Sequence, residues 1–198
     1  MKAIISKGNS KLGKIPNSSL VPVKDCVNCE SCKKECYALK AWKQYPNVRK
    51  AWKNNSDLLR SNPMKWRDNH IEWIKKNKPR FFRFNVAGDV ISSEHYQAIK
   101  GIARLCPETK FLLFTKAFKF ITHLHNKPDN LTVILSLFPK MKAPKRLEAL
   151  PKAYAFDNDK DYKEKRFQDA LECPSNCDTC GICWDLPRTG KDVKFLKH

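Results

Sequence analysis

Eight of the nine cysteines lie in two short runs, one near each end of the 198-residue chain. The first run contains Cys26, Cys29, Cys32 and Cys36, and the second contains Cys173, Cys177, Cys180 and Cys183. Thiolates are soft ligands that select iron–sulfur clusters, zinc or Cu(I) over hard cations. The two runs therefore predict two metal-binding sites built from cysteine side chains.

The spacing within the runs favours iron–sulfur clusters over zinc. C-x2-C-x2-C-x3-C, the spacing of the first run, is the pattern by which bacterial ferredoxins hold [4Fe–4S] clusters, and the second run has this spacing in reverse. In two-cluster ferredoxins the remote fourth cysteine, followed by proline, binds the other cluster. Cys173 precedes Pro174 and is the remote member of the second run; Cys36 is the remote member of the first run, although Tyr37 rather than proline follows it. We expect two [4Fe–4S] clusters held by eight thiolates; the alternative is Zn²⁺ bound by four thiolates in each run.

The chain is strongly basic, with a net charge of +19 that is spread along its length. Such a surface attracts polyanions, so nucleic acid is a candidate partner; the alternative is that the lysines only keep the protein in solution. No apolar run is long enough to span a membrane, and the first residues lack the apolar segment of a secretory signal. We therefore expect a cytoplasmic protein with reduced thiols rather than disulfides, and no membrane partner.

The spacing of apolar residues predicts a single α/β domain over residues 1–198. Residues 37–78 predict two or three helices interrupted at Pro46 and Pro63, with Trp42, Trp52 and Trp73 either in the core or free to stack on bases. Further along, apolar runs predict strands that alternate with helices, which is typical of a mainly parallel sheet. The predicted strands cover 3–5, 81–86, 111–115, 131–138, 153–156 and 193–198. One predicted helix is capped by Ser92 or Ser93 and extends through Leu105, and the others cover 117–125 and 162–171. The sheet core is expected at 81–156, between cysteine-rich segments at 26–36 and 173–183.

Two polar elements follow predicted strands and are candidates for a substrate or cofactor pocket. Asp89 follows the strand at 81–86, and Lys116 follows the strand at 111–115 together with Thr115. Ligands bind at the carboxyl ends of strands in open α/β sheets and barrels. The five histidines show no spacing that would place two of them on one metal ion, and they are expected at the surface.

The chain resembles the tailed-phage family named gene product 88. The resemblance rests on short elements along nearly the whole sequence: Gly8–Gly13, Cys32 to Ala38, Arg83 to Asp89, Phe114–Lys116, Cys177 to Trp184, and His198. It implies phage origin, and hence the host cytoplasm, together with metal binding. It implies no particular reaction.

A fainter similarity is to radical S-adenosylmethionine enzymes. In those enzymes a three-cysteine loop after the first barrel strand holds a [4Fe–4S] cluster with one open iron, and a short element after the second strand contacts the cofactor; Val86–Asp89 occupies a comparable place. The similarity implies an incomplete (β/α) barrel, a redox or radical reaction, and S-adenosylmethionine as a cofactor. The cysteine spacing departs from that pattern, since Cys29, Cys32 and Cys36 read C-x2-C-x3-C and a fourth cysteine is present to close the cluster. The resulting prediction is an iron–sulfur protein with a radical-enzyme-like redox role and a redox partner; the alternative is a nucleic-acid-binding module stapled by structural metal sites.

Overall fold

The computed structural model describes residues 1–34, 36–157 and 161–196, and its centre is a seven-stranded sheet in which all pairs are parallel. The strands are β1 (Asn17–Ser18), β2 (Phe81–Phe84), β3 (Lys110–Thr115), β4 (Leu131–Leu137), β5 (Lys152–Phe156), β6 (Leu171–Glu172) and β7 (Val193–Leu196). Their order across the sheet is β1-β2-β3-β4-β5-β7-β6. The predicted α/β class with a parallel sheet is confirmed.

The longer helices in the described part of the chain begin where the sequence signals place them. They are α1 (Tyr37–Gln44), α2 (Pro46–Ser61), α3 (Pro63–Asn77) and α4 (Ser93–Leu105). Pro46 and Pro63 each begin a helix, because proline has no amide hydrogen to donate and its φ angle is already helical. Ser92 caps α4, since its hydroxyl accepts a hydrogen bond from the His95 amide at 3.2 Å. One-turn helices follow later in the chain: α5 (Lys165–Gln168), α6 (Cys177–Cys180) and α7 (Leu186–Thr189).

The two faces of the sheet are covered by different parts of the chain. Side chains alternate between the faces along each strand, so Phe82 and Phe84 of β2 pack with α3 and α4 in the larger core. On the opposite face Leu112 and Ile134 pack against a smaller apolar cluster formed by the N-terminal loop and by the segment around Trp184. Segments from both ends of the chain therefore share one face of the sheet.

The sheet is wider than the core predicted at 81–156, because β1, β6 and β7 lie outside that range. Strands β1 to β5 follow one another in chain order, as strands of a (β/α) barrel do. The sheet is open within the described residues, since its edge strands β1 and β6 do not pair. All strands run in the same direction, so their carboxyl ends lie along one side of the sheet. This side, which is perpendicular to the edge strands, is called the carboxyl edge below.

The strand predicted near the start of the chain is wrong. The strand expected at 3–5 is absent; the amides of Ala3 and Ile4 instead donate to the side chains of Asn69 and Asn55 on the helices. The first strand is the short polar segment Asn17–Ser18. Burial against α2 and β2, rather than strand propensity, accounts for its extended backbone.

The helix expected at 117–125 is also wrong. This segment forms two single 3₁₀ turns, Phe118–Phe120 and Leu124–Asn126, separated by His123 with a φ of 52°. The Arg146 guanidinium donates to the carbonyls of Phe118 and Ile121. The Phe118 carbonyl also accepts from the Ile121 amide at 3.2 Å, which is the hydrogen bond of a 3₁₀ turn rather than of an α-helix.

At the C-terminal end, the helix predicted at 162–171 is reduced to α5, and β6 follows it. The strand predicted at 193–198 corresponds to β7, Val193–Leu196, and Lys197 and His198 lie outside the described residues. None of the helices in the described ranges combines the length and apolar character that crossing a bilayer requires.

Candidate metal centres

The first cysteine set comprises Cys26, Cys29, Cys32 and Cys36, and it lies in the loop between β1 and α1. The Cys26 amide donates to the Val23 carbonyl at 3.3 Å, and the Cys32 amide donates to the Cys29 carbonyl at 3.1 Å. Cys36 directly precedes the first turn of α1. All four thiols are free and half-buried. These backbone turns therefore hold the four cysteines within one short loop.

Asp89, one of the two predicted pocket residues, joins this loop to the carboxyl edge. It is buried, and its amide donates to the carbonyl of Asp25, the residue before Cys26, at 2.7 Å. Its carboxylate accepts hydrogen bonds from the Thr115 hydroxyl at 2.6 Å, the Lys116 amide at 2.8 Å and its neighbour's amide at 2.7 Å. Burial raises the pKa of Asp89, while Lys116 and these hydrogen bonds oppose that effect.

Lys116, the other predicted pocket residue, lies beside the thiols of the first set. Burial alone would lower its pKa, but Asp89, Cys32 and Cys26 raise it overall, so the side chain is a cation at neutral pH. Burial raises the pKa of the Cys32 thiol, and the Lys116 charge opposes that effect. Burial raises the pKa of the Cys26 thiol to about 12. A bound metal ion supplies the positive charge that ionises such a thiol.

Two further hydrogen bonds attach the loop to the carboxyl edge. The Asn28 side-chain amide donates to the Lys116 carbonyl at 2.8 Å, and Asn28 itself has a φ of 60°. The Tyr37 hydroxyl donates to the Val86 carbonyl, which lies just beyond β2. The structure thus places the predicted pocket and the first cysteine set at one location.

The second cysteine set comprises Cys173, Cys177, Cys180 and Cys183, and all four side chains line one cavity. This cavity encloses about 340 Å³, part of it open to solvent, and apolar groups such as Ile182 and Trp184 complete its wall. Cys173 extends β6, since its amide donates to the Lys194 carbonyl at 2.9 Å. Cys177 and Cys180 are the ends of α6, and Cys183 lies in the 3₁₀ turn that follows.

Basic residues also accompany the second set. The pKa of the Cys183 thiol is raised to about 12, chiefly by burial, while Arg83 lowers it and the other three thiols contribute to the increase. Burial also raises the pKa of Cys177, whereas Arg83 and Lys11 lower it. The thiols that influence the pKa values of Cys183 and Cys177 belong to the second run, and those that influence the pKa values of Cys26 and Cys32 belong to the first.

The N-terminal Gly8–Gly13 loop supports the second set, a role that sequence reasoning did not assign. The Asn9 side chain accepts from the amides of Lys11 and Leu12 and closes the loop. The Lys11 carbonyl then accepts from the Cys177 amide at 2.9 Å. The Gly8 and Gly13 backbones approach so closely that a Cβ on Gly8 would lie 1.8 Å from the Gly13 carbonyl oxygen.

Strand β2 connects the two sets. Near its start, the Phe81 ring lies 4.8 Å from that of Trp184, beside the second set. Beyond its end, Val86 accepts the hydrogen bond of Tyr37, beside the first set. Between them the Arg83 guanidinium lies over the Phe114 ring at 4.7 Å. Arg83 Nε and the side-chain nitrogens of Asn17 and Asn85 are buried donors with no hydrogen-bond partner among the described residues.

The donor chemistry fits a thiolate-bound metal cluster at each set. Each set supplies four thiols, one set lines a cavity, and a lysine or arginine lies close to both. No three His, Cys, Asp or Glu side chains within residues 1–34, 36–157 and 161–196 form a group that could already hold a metal ion.

Two histidines contradict the expectation that all five lie at the surface. His70 and His95 are fully buried between α3, α4 and β2. Their rings flank Trp66, with centroid distances of 4.0 and 5.1 Å. Both contribute to the core, and neither lies in a cysteine set. His123 and His125 are not buried, as predicted.

Fold and sites together define an α/β protein with a parallel sheet and two cysteine sets on a common strand. A family model, Gene product 88, matches residues 3–186, so the chain belongs to this family of bacteriophage gene products. No curated protein and no solved structure matches the chain. The similarity to radical S-adenosylmethionine enzymes stays a prediction.

Proposed function

We propose that the protein is an iron–sulfur redox protein that holds one [4Fe–4S] cluster in each cysteine set. The observation that carries the proposal is that the four thiols of the second run line one cavity and the four of the first run lie in one loop, with a basic side chain near each set. A bound cluster of this type supplies one-electron transfer. The proposed ligands are the eight cysteines of the two runs.

Under this proposal the basic side chains neutralise the negative charge of the clusters. Four thiolates around a [4Fe–4S]²⁺ core carry a net charge of about −2, which is costly to bury without a counter-charge. Lys116 supplies that charge at the first set, and Arg83 with Lys11 supplies it at the second. A cation or hydrogen bond at a ligand sulfur also raises the reduction potential of a cluster.

Asp89 and Thr115 act on the first set indirectly. The Asp89 carboxylate accepts from the Thr115 hydroxyl and the Lys116 amide, and its own amide holds the backbone before Cys26. This carboxylate therefore fixes the lysine and the start of the cysteine loop relative to one another. We propose Asp89 as a positioning residue rather than as a base.

Metal analysis tests the proposal directly. Protein purified without oxygen should be brown, absorb near 400 nm, and contain about eight iron atoms and eight acid-labile sulfides per chain. Changing Cys29 and Cys32 to alanine should halve both contents, and changing Cys177 and Cys180 should do the same. Cys106→Ala is the matched control, because Cys106 is a buried thiol outside both sets. A colourless protein with about two zinc ions per chain would overturn the proposal in favour of structural zinc.

The same preparation tests for radical chemistry. Each set contains a fourth cysteine, so we propose that all irons are ligated and that S-adenosylmethionine leaves the electron paramagnetic resonance spectrum of the reduced protein unchanged. A change on adding S-adenosylmethionine would instead show an open iron, and Cys26→Ala and Cys36→Ala would then identify which thiol does not bind. Either result leaves the iron content as the test of the cluster proposal itself.

A further inference from the structure

Helices α1 and α2 form a basic hairpin, defined here as residues 37–61, that begins directly after the first cysteine set. Between residues 36 and 56 the sequence has no acidic side chain. The same segment has five basic side chains: Lys40, Lys43, Arg49, Lys50 and Lys53. All except Arg49 are exposed, and Lys53 pairs with Asp57. Lys40 and Lys43 are neighbours on one helix face, and like charges at this spacing repel. Such a local excess of positive charge favours a polyanionic partner.

The aromatic side chains of the basic hairpin differ from those of the core. Trp42 and Trp52 are half-buried and stack on one another, with centroids 6.3 Å apart and ring planes inclined by 21°. Among the described residues neither belongs to the apolar cores or packs against them, whereas Trp66 is fully buried in the larger core. Tyr37 and Tyr45 are exposed to 55% and 50% at the two ends of α1. Aromatic rings interleaved with lysines are the components of a surface on which nucleic-acid bases stack.

We infer that the basic hairpin is a binding surface for single-stranded nucleic acid. Lysines would neutralise backbone phosphates, and the aromatic rings would stack with unpaired bases. A membrane surface fits less well, because membrane-bound helices bury a broad apolar face. Within the basic hairpin the exposed large apolar side chains are tyrosines, whose polar hydroxyls suit stacking better than insertion.

The surface should discriminate single strands from duplexes. Stacking platforms need unpaired bases, whereas charge alone binds any phosphate backbone. Fluorescence anisotropy with a labelled 20-residue oligothymidine, its duplex with oligoadenine, and anionic vesicles of phosphatidylserine measures the three affinities. We expect the single strand to bind at least tenfold more tightly than the duplex. Equal affinity for single strand and duplex, preference for vesicles, or no binding at low salt would overturn the inference.

Matched variants separate this surface from the general positive charge. Lys40, Lys43 and Lys50 changed together to glutamine should reduce the slope of log affinity against log salt by about 2, since each lost phosphate contact contributes about 0.7. The control is a triple variant in which three exposed lysines near the opposite sheet edge are changed to glutamine: Lys163, Lys165 and Lys191. This variant loses the same charge and should leave the slope nearly unchanged. Equal effects of the two triple variants would mean diffuse attraction and would refute a dedicated site.

Trp42 provides the test of stacking. Trp42→Ala should weaken oligothymidine binding about tenfold, whereas Trp42→Phe keeps a ring and should retain most of the affinity. Unchanged thermal unfolding of both variants shows that the hairpin is intact. If alanine and phenylalanine have the same effect, the ring does not stack on bases. The readout is independent of metal content, so this inference and the iron–sulfur proposal can fail separately.

Discussion

Acid should loosen the packing of α3 on α4, because two buried histidines lie between them. His70 on α3 and His95 on α4 flank the Trp66 ring, and the Nε2 atoms of both have no hydrogen-bond partner among the described residues. Burial lowers the pKa of His70 to about 4. Burial, together with the nearby His70, lowers the pKa of His95 to about 3.

The size of the effect follows from proton linkage. An exposed histidine has a pKa of about 6.5. Between pH 7 and pH 5 the open state, in which the histidine is exposed, therefore binds a proton that the packed state, in which it is buried, does not bind. Stability is therefore fully present above pH 6.5 and falls as the pH drops toward the folded pKa values. Each histidine should remove about 1.8 kcal/mol over this interval, which is roughly a 20-fold increase in the population of the open state. The two together should remove about 4 kcal/mol if they titrate independently in the open state.

Hydrogen exchange measures this opening without unfolding the cysteine sets. Peptides covering α3 and α4 are compared by mass spectrometry at pH 7 and pH 5 in the wild type and in His70→Gln, His95→Gln and the double variant. Each single variant should lose about half of the acid-induced deprotection relative to the wild type, and the double variant nearly all. His125→Gln removes an exposed histidine and is the control. If the double variant responds to acid as the wild type does, the histidines are not the groups that titrate.

Three further predictions concern the cysteine sets. Gly8→Ala should destabilise the protein by about 2 kcal/mol more than Gly190→Ala, because a Cβ on Gly8 meets a backbone carbonyl whereas Gly190 has open space around it. The Gly8 variant should also release iron from the second set, and equal melting temperatures of the two variants would contradict this reasoning. Lys116→Met should lower the reduction potential of one cluster by about 59 mV, which is about a tenfold change for a one-electron couple. Lys119→Met, an exposed control, should leave both potentials unchanged. Asp89→Asn places an amide against the Lys116 amide and should cost about 2 kcal/mol of stability, against about 1 kcal/mol for Thr115→Val. The Asn variant should also lose iron from the first set, and full iron occupancy would argue against a positioning role.

The strands that could be predicted are those whose side chains are apolar over most of their length. Buried parallel strands read as continuous apolar runs, which is why β3 and β4 lie close to their predicted bounds. Strand β1 could not be predicted, since Asn17 and Ser18 are polar residues that pair with β2 through tertiary packing. The helix predicted near Phe118 does not form, and the Phe118 carbonyl instead accepts from Arg146. Arg146 lies far along the chain, so local sequence spacing could not reveal this contact.

Local spacing identified the cysteines, and strand ends identified Asp89 and Lys116, but the sequence did not show that Lys116 lies beside Cys26 and Cys32. That contact depends on the Asn28 hydrogen bond and on the carbonyl before Cys26, which fold the loop over the carboxyl edge. The same limitation applied to the tryptophans. Helical spacing suggested a common apolar stripe, whereas Trp42 and Trp52 stack on each other outside the core.

The position of β2 explains how cysteine sets near opposite ends of the chain come to share one structural support. The strand presents Phe81 to the second set and Arg83 between the sets, and the turn after it carries the Val86 carbonyl that accepts from Tyr37 at the first set. Strand β2 is paired on both sides, with β1 and β3, so supports of both sets lie on one internal strand of the sheet. If each set holds a cluster as proposed, the two clusters would share this strand as a support, with Arg83 between them.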